Sequence, residues 1–232
     1  MKSMSREDFF PHWSALHGNA EIRGIVRWWL TISYAIARAL LRMKITANGL
    51  TALGVLLSIG LAFSLYESAT EASSLVFAIL LLVLALASDG LDGTVAILAG
   101  SASRRGAALD AIADRIAESL WAYAFILLGA EPIIVMVAWL AAQIQEYLRA
   151  RLGGLGISEI GVVTVSERPV RASFLAVALV MALTYSFFES GEILSLDASL
   201  AISIIAAIWL TLQSIALIQL TRFAIRSTIG MR

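Results

Sequence analysis

Four aspartates, Asp89, Asp92, Asp110 and Asp114, stand in DGLDGTVAILAGSASRRGAALDAIAD (89–114), inside a chain that is 59% hydrophobic and only 15% charged. Spacings of three and four residues put each pair on one helical face. Between the pairs lies the turn segment AGSAS (99–103), where Gly100 can end one helix and Ser101 or Ser103 can cap the next. At about 1.5 Å per residue, Asp92 and Asp110 then lie about 12 and 9 Å from the turn, and Asp89 and Asp114 about 16 and 15 Å. If those faces meet, four carboxylates share one pocket. Each intramembrane acid costs at least about 2.5 kcal/mol, and Arg115 alone cannot neutralise four of them. Oxygen ligands without Cys or a nearby His suit Mg²⁺ or Mn²⁺. Two such ions about 3.5–4 Å apart are a recurrent device of phosphoryl chemistry. The pattern predicts a metal centre. Gly93, Gly106, Ala107 and Ala111 beside the acids leave room for close helix approach or for a ligand.

The elements that must carry these residues are membrane helices. Apolar runs such as LVFAILLLVLALA and AISIIAAIWL are too long and uniform for a soluble core. The expected fold is an all-α integral membrane protein with six transmembrane helices. They fall at about 50–66, 74–98, 105–129, 132–152, 171–188 and 198–221, each near the length a bilayer requires. A cytoplasmic-face amphipathic helix, EIRGIVRWWLTISYAIARALLRM (21–43), precedes them, with Trp28 and Trp29 suited to the headgroup zone. Residues 1–46 thus form a cytoplasmic N-terminal segment and 47–232 the transmembrane catalytic domain. The polar start of the chain does not read as a cleaved leader.

Charge sorting sets the orientation. Lys2, Arg6, Arg23, Arg27, Arg38, Arg42 and Lys44 precede the first span, Arg104 and Arg105 join spans two and three, and Arg222, Arg226 and Arg232 follow the last. Arg149, Arg151, Arg168 and Arg171 cluster where spans four and five connect. The opposite connections hold Glu67, Glu71, Glu131, Glu189, Glu192 and Asp197 and no Lys or Arg. Under the positive-inside rule this is a multi-pass cell-membrane protein with both termini and the acidic site cytoplasmic. The absence of cysteine excludes disulfides and thiol catalysis. The basic N-terminal region belongs to a membrane surface rather than to nucleic acid.

Written as spacing, the stretch is D-x2-D-G-x2-A-x9-G-x3-D-x3-D, which resembles the signature of the CDP-alcohol phosphatidyltransferase family. Asp89, Asp92, Gly93, Ala96, Gly106, Asp110 and Asp114 match in register, and ITANGLT (45–51) looks like the family's I-T-P-N-x-x-T. Two positions depart: Ile97 replaces the signature arginine and Ala47 the proline. Loss of the arginine bears on donor phosphate binding, with Arg104 and Arg105 as nearby cations able to compensate.

The resemblance implies transfer of a phosphatidyl-type group from a CDP-linked lipid, CDP-diacylglycerol, to the hydroxyl of a small alcohol, with release of CMP. It implies two Mg²⁺ or Mn²⁺ ions, surrounding membrane lipids and a homodimer. Asp89, Asp92 and Asp110 would bind metal, and Asp114 would bind metal or act as general base. Gly93, Ala96 and Gly106 would admit the donor nucleotide, bordered by Asn48 and Thr51.

The acceptor is addressed by EYLRARLGGLGISEIGVVTVSERPVR (146–171). Arginine forks match phosphate oxygens, so Arg149, Arg151, Arg168 and Arg171 are candidate acceptor-phosphate ligands; ordinary positive-inside charge accounts for some of them. YLRAR and ERPVR look like the inositol-phosphate-using branch, whereas Gln213-Ser214 departs from its glutamine–arginine pair. A phosphorylated polyol, inositol phosphate or glycerol phosphate, is preferred over serine or ethanolamine. Two other classes stay open: a catalytically silent homologue with a binding or scaffolding role, motivated by Ile97, and an ion carrier, since intramembrane acids also mark transport paths. Glu118, one turn deeper on the Asp110–Asp114 stripe, reads as an extra ligand or as a partner of Arg115.

Overall fold

The structure, a computed structural model, describes residues 4–16, 20–157, 163–188 and 198–228. Lys2, Arg232, Glu189, Glu192 and Asp197 lie outside the described residues. The described residues form helices and no strand: α1 (Arg6–Leu16), α2 (Gly24–Arg42), α3 (Ala47–Glu67), α4 (Ala72–Ala99), α5 (Arg104–Leu127), α6 (Pro132–Gly154), α7 (Arg168–Phe188) and α8 (Ala198–Thr228). Of these, α3, α4, α7 and α8 are long and apolar enough to cross a membrane. Of the six expected spans, charges set α5 and α6 apart. Asp110, Asp114, Arg115 and Glu118 ride on α5, and Glu146, Arg149 and Arg151 on α6.

The chain divides into two compact units, Met1–Ser58 with Val83–Ala117, and Ile59–Leu82 with Glu118–Arg232. In the first, Ser5 caps α1. Ser5 Oγ accepts the Asp8 N–H at 3.1 Å and donates to the Asp8 carboxylate at 2.6 Å. Phe9 is fully buried against Tyr34 of α2, ring centroids 5.4 Å apart, and the Tyr34 hydroxyl donates to the Met4 carbonyl. Sequence periodicity did not mark α1 as a helix; its one deeply buried side chain gives no repeat to read. Phe9, Leu30, Tyr34, Ala37, Leu50, Leu91, Val95, Ile97 and Leu98 form this unit's apolar core.

Helix ends follow local chemistry. Gly100, at φ 63°, closes α4: its N–H donates to Ile97 and the Ser101 N–H to Ala96, satisfying the last carbonyls. Ser103 then caps α5 by accepting the Gly106 N–H at 3.1 Å, and Thr46 caps α3 by accepting that of Gly49 at 3.1 Å. The end of α2 repeats the α4 device with a different residue. Lys44 N–H donates to Leu41, Ile45 N–H to Leu40, and the left-handed position falls on Lys44 at φ 61°. A residue with a Cβ held there costs about 1–2 kcal/mol.

Gly90 marks a close approach of α2 to α4. A Cβ placed on it would lie 2.6 Å from Trp29 Cζ2, on a rigid indole with little room to give. Gly90→Ala is expected to destabilise the protein by about 1–3 kcal/mol through overpacking. Thermal unfolding in detergent checks this, and adding Trp29→Leu should recover most of the loss. An unchanged melting temperature in Gly90→Ala would sink the claim.

In the second unit α8 packs against α6 and α7. Ala138, Ala142, Ala178, Ala206 and Ala216 are all but fully buried there, the small side chains that let membrane helices approach. Phe125 and Trp209 stack with centroids 5.5 Å apart.

Candidate metal and nucleotide site

The Gly100 turn reverses the chain between α4 and α5, and three of the four acids come together. One carboxylate oxygen from each of Asp89, Asp92 and Asp110 lies within 4.8 Å of the others. Asp92 is only 7% exposed, and Thr51 Oγ1 on α3 donates to its Oδ2 at 2.6 Å. Three carboxylates this close repel strongly in a low-dielectric setting, and a divalent cation with oxygen preference resolves that. The donor set fits Mg²⁺ or Mn²⁺. Asp114, half-buried one turn further along α5, is not among the three.

Beside the carboxylates opens a cavity of about 710 Å³. Asn48, Thr51, Gly93, Ala96 and Gly106 all line it, together with Asp92 and Asp110. These five, which the family resemblance implied for the donor nucleotide, stand on three different helices and all border the one cavity. A Cβ on Gly93 would meet nothing within 4 Å, so this glycine leaves open space in the cavity rather than permitting a tight helix contact. Ile97 lines the cavity too, at 7% exposure, as part of the apolar core. Arg104 and Arg105 are exposed and do not line it, whereas Lys44 does. The contribution of Lys44 and the Thr51–Asp92 bond had no signal in spacing; both depend on how α2 and α3 dock.

The arginines sit in the second unit. Arg171, 3% exposed, donates to Glu118 at 2.8 and 3.1 Å, to Glu146 at 2.7 Å and to the Ser166 carbonyl at 3.1 Å. Glu118 is therefore a partner of Arg171. Arg168 lies over the Trp121 ring, 5.4 Å from its centroid, with Nε 4.0 Å from Glu118. Arg149, 24% exposed, donates to Glu167 at 2.8 Å, and Arg151 is exposed at the end of α6. A buried amide pair holds the segment before α7: Gln213 donates to Gln145 at 2.7 Å, Gln145 to Thr164 at 3.1 Å, and Ser166 to Gln213 at 2.8 Å. Gln213, weighed in the sequence as part of a recognition pair, is fully buried in this clamp.

Glu167, in the segment leading into α7, has an ionisation that reports on this clamp. Burial pushes its carboxyl up, but the Thr164 N–H and hydroxyl, at 2.7 and 2.8 Å, and Arg149 outweigh it and hold the group below its ordinary 4.5. A depressed carboxyl contributes stability that is present above the unfolded-state value and lost as pH falls through the folded one. Wild-type protein is thus expected to lose stability below about pH 4.5 more steeply than Glu167→Gln. Melting curves in detergent between neutral and acid pH would show it; parallel curves would count against the assignment.

A profile described as CDP-alcohol phosphatidyltransferase matches residues 44–223. Archaetidylinositol phosphate synthase of Aeropyrum pernix is 33% identical over 136 residues, covering 59% of this chain and 66% of that protein. Phosphatidylinositol phosphate synthase of Corynebacterium glutamicum is 29% identical over 164 residues, covering 67% of this chain and 69% of that one. Among solved structures, Mycobacterium tuberculosis phosphatidylinositol phosphate synthase in complex with manganese and citrate superposes with a TM-score of 0.63 at 24% identity, covering 83% of this chain and 88% of that one. The same enzyme with CDP-DAG bound gives 0.61 at 24% identity, over 84% and 94% of the two chains. At that identity the likeness establishes the fold.

Proposed function

This chain belongs to the CDP-alcohol phosphatidyltransferase family, and on that premise we propose that it transfers a phosphatidyl group from CDP-diacylglycerol to the hydroxyl of a phosphorylated polyol, inositol phosphate in first place. What carries this is the shared cavity, in which Asp92 and Asp110 of the carboxylate cluster and the five small or polar residues border one space large enough for a nucleotide. The relatives named for inositol phosphate products support the acceptor.

The donor's cytidine end lies against Asn48, Thr51, Gly93, Ala96 and Gly106, and its pyrophosphate reaches the aspartates. Asp89, Asp92 and Asp110 would hold Mg²⁺ or Mn²⁺, two ions by the family resemblance. When bound, the metal supplies charge neutralisation at the pyrophosphate and Lewis-acid polarisation of the phosphoryl oxygens. The acceptor hydroxyl oxygen forms a bond to the lipid-side phosphorus, and the bond to the CMP oxygen breaks. CMP leaves with the electron pair, and Asp114 takes the hydroxyl proton. Thr51 keeps the Asp92 carboxylate aimed. Arg149, Arg151 and Arg168 meet the acceptor phosphate. Arg171 belongs to the same set and acts through Glu118 and Glu146, because its guanidinium nitrogens already hold protein acceptors.

The membrane arrangement is six spans, α3 to α8, with both termini and the site cytoplasmic and the chain a homodimer. Helix α2 lies on the membrane surface. Its exposed Ile25, Trp28 and Ile36, flanked by exposed Arg27, Arg38 and Arg42, support that placement. A second reading, a silent homologue that binds the nucleotide without turnover, is favoured only by Ile97 standing in the apolar core.

The test is CMP release by purified protein given CDP-diacylglycerol and Mg²⁺ or Mn²⁺, with inositol phosphate, glycerol phosphate, inositol, serine and ethanolamine in turn. Release with inositol phosphate is the expected result. Release with serine or ethanolamine alone would overturn the acceptor assignment, and silence in folded, nucleotide-binding protein would establish the second reading.

A further inference from the structure

We propose that Lys44 is the cation that binds the donor's phosphates in this chain, in place of the arginine that Ile97 has displaced; this rests on the donor reading of the cavity. Two observations meet at this residue. Lys44 is the one basic residue among those lining the cavity, whereas the arginines that follow the turn, Arg104 and Arg105, lie outside it. It is also the one non-glycine residue, among those described, with a left-handed backbone. It occupies the position after the α2 cap that glycine fills in most such caps, as Gly100 does after α4. Conformation alone would favour glycine at 44. Lys44 lines the cavity and is exposed, and its ammonium, on a flexible four-carbon stem, suits phosphate as a point charge. With Ile97 apolar and Asp92 and Asp110 acidic, the cavity otherwise has no fixed positive charge on its wall.

The conformational cost makes the inference separable from a purely structural role. Lys44→Gly relieves the backbone and removes the charge at once, so stability and binding should move in opposite directions. The experiment measures binding of CDP and of cytidine to full-length protein in detergent with Mn²⁺, for wild type, Lys44→Gly and Lys44→Arg, alongside thermal unfolding. Expected are a Lys44→Gly protein that melts no lower than wild type, a loss of CDP affinity of about 10- to 100-fold as for a lost hydrogen bond to a charged group, unchanged cytidine affinity, and near-wild-type CDP binding by Lys44→Arg. Wild-type CDP affinity in Lys44→Gly would overturn the assignment and leave the donor site standing. An equal loss for cytidine would make Lys44 a structural residue only. Failure of wild-type protein to bind CDP would remove the donor reading itself, and Lys44 with it.

Discussion

Asp92→Asn is expected to lower CMP release by about 10³-fold or more, since metal charge stabilisation contributes several kcal/mol and each 1.36 kcal/mol is about tenfold in rate. Asp92 is the most buried of the three clustered acids and accepts the Thr51 hydroxyl. Asparagine keeps the volume and an acceptor oxygen for Thr51 while removing the charge that holds a cation. Folding should therefore survive. In metal-free protein the variant is expected to melt no lower than wild type, because three carboxylates within 4.8 Å become two. Mn²⁺ titration followed by electron paramagnetic resonance should show the binding loss directly. Retained Mn²⁺ affinity with retained turnover would remove Asp92 from the metal centre, and a collapsed melting temperature would make it a structural residue.

Asp114→Asn is expected to cost about 10²–10⁴-fold in kcat, the usual contribution of a positioned general base. Asp114 stands outside the three-carboxylate cluster, one helical turn from Asp110. Loss confined to kcat, with Mn²⁺ affinity and the KM for CDP-diacylglycerol close to wild type, is the signature of a base acting only in the transition state. Parallel loss of Mn²⁺ binding would instead make Asp114 a metal ligand. Together the two variants separate the group that holds charge from the group that moves a proton.

Much of the site was legible before any fold was considered. Asp89, Asp92 and Asp110 announce themselves because uncompensated acids in an apolar run are too costly to keep without a task. The reversal at Gly100 and Ser103 is local chemistry, and so it reads directly from residue type. Helix α1 was not legible, because Phe9 is its one buried side chain and the contacts that hold it, Phe9 on Tyr34 and Arg6 on Thr31, are long-range.

The arginines divide along the same line. Their clustering is a sequence fact, but their environments are not. Arg171 is buried between Glu118 and Glu146, while Arg151 is exposed, and nothing in YLRAR or ERPVR distinguishes the two. Gln145 and Gln213 stand far apart in the chain and meet only when α6 packs on α8.

The sequence by itself determined the helical class and the cluster of acids, because burial cost, spacing and helix-end chemistry are properties of neighbours along the chain, and the family through the resemblance its motif carries. Only the tertiary structure decided which cation faces the cavity, which hydroxyl aims Asp92 and which arginine is already committed to carboxylates. Those outcomes depend on how separate helices dock, and residue order does not encode docking locally.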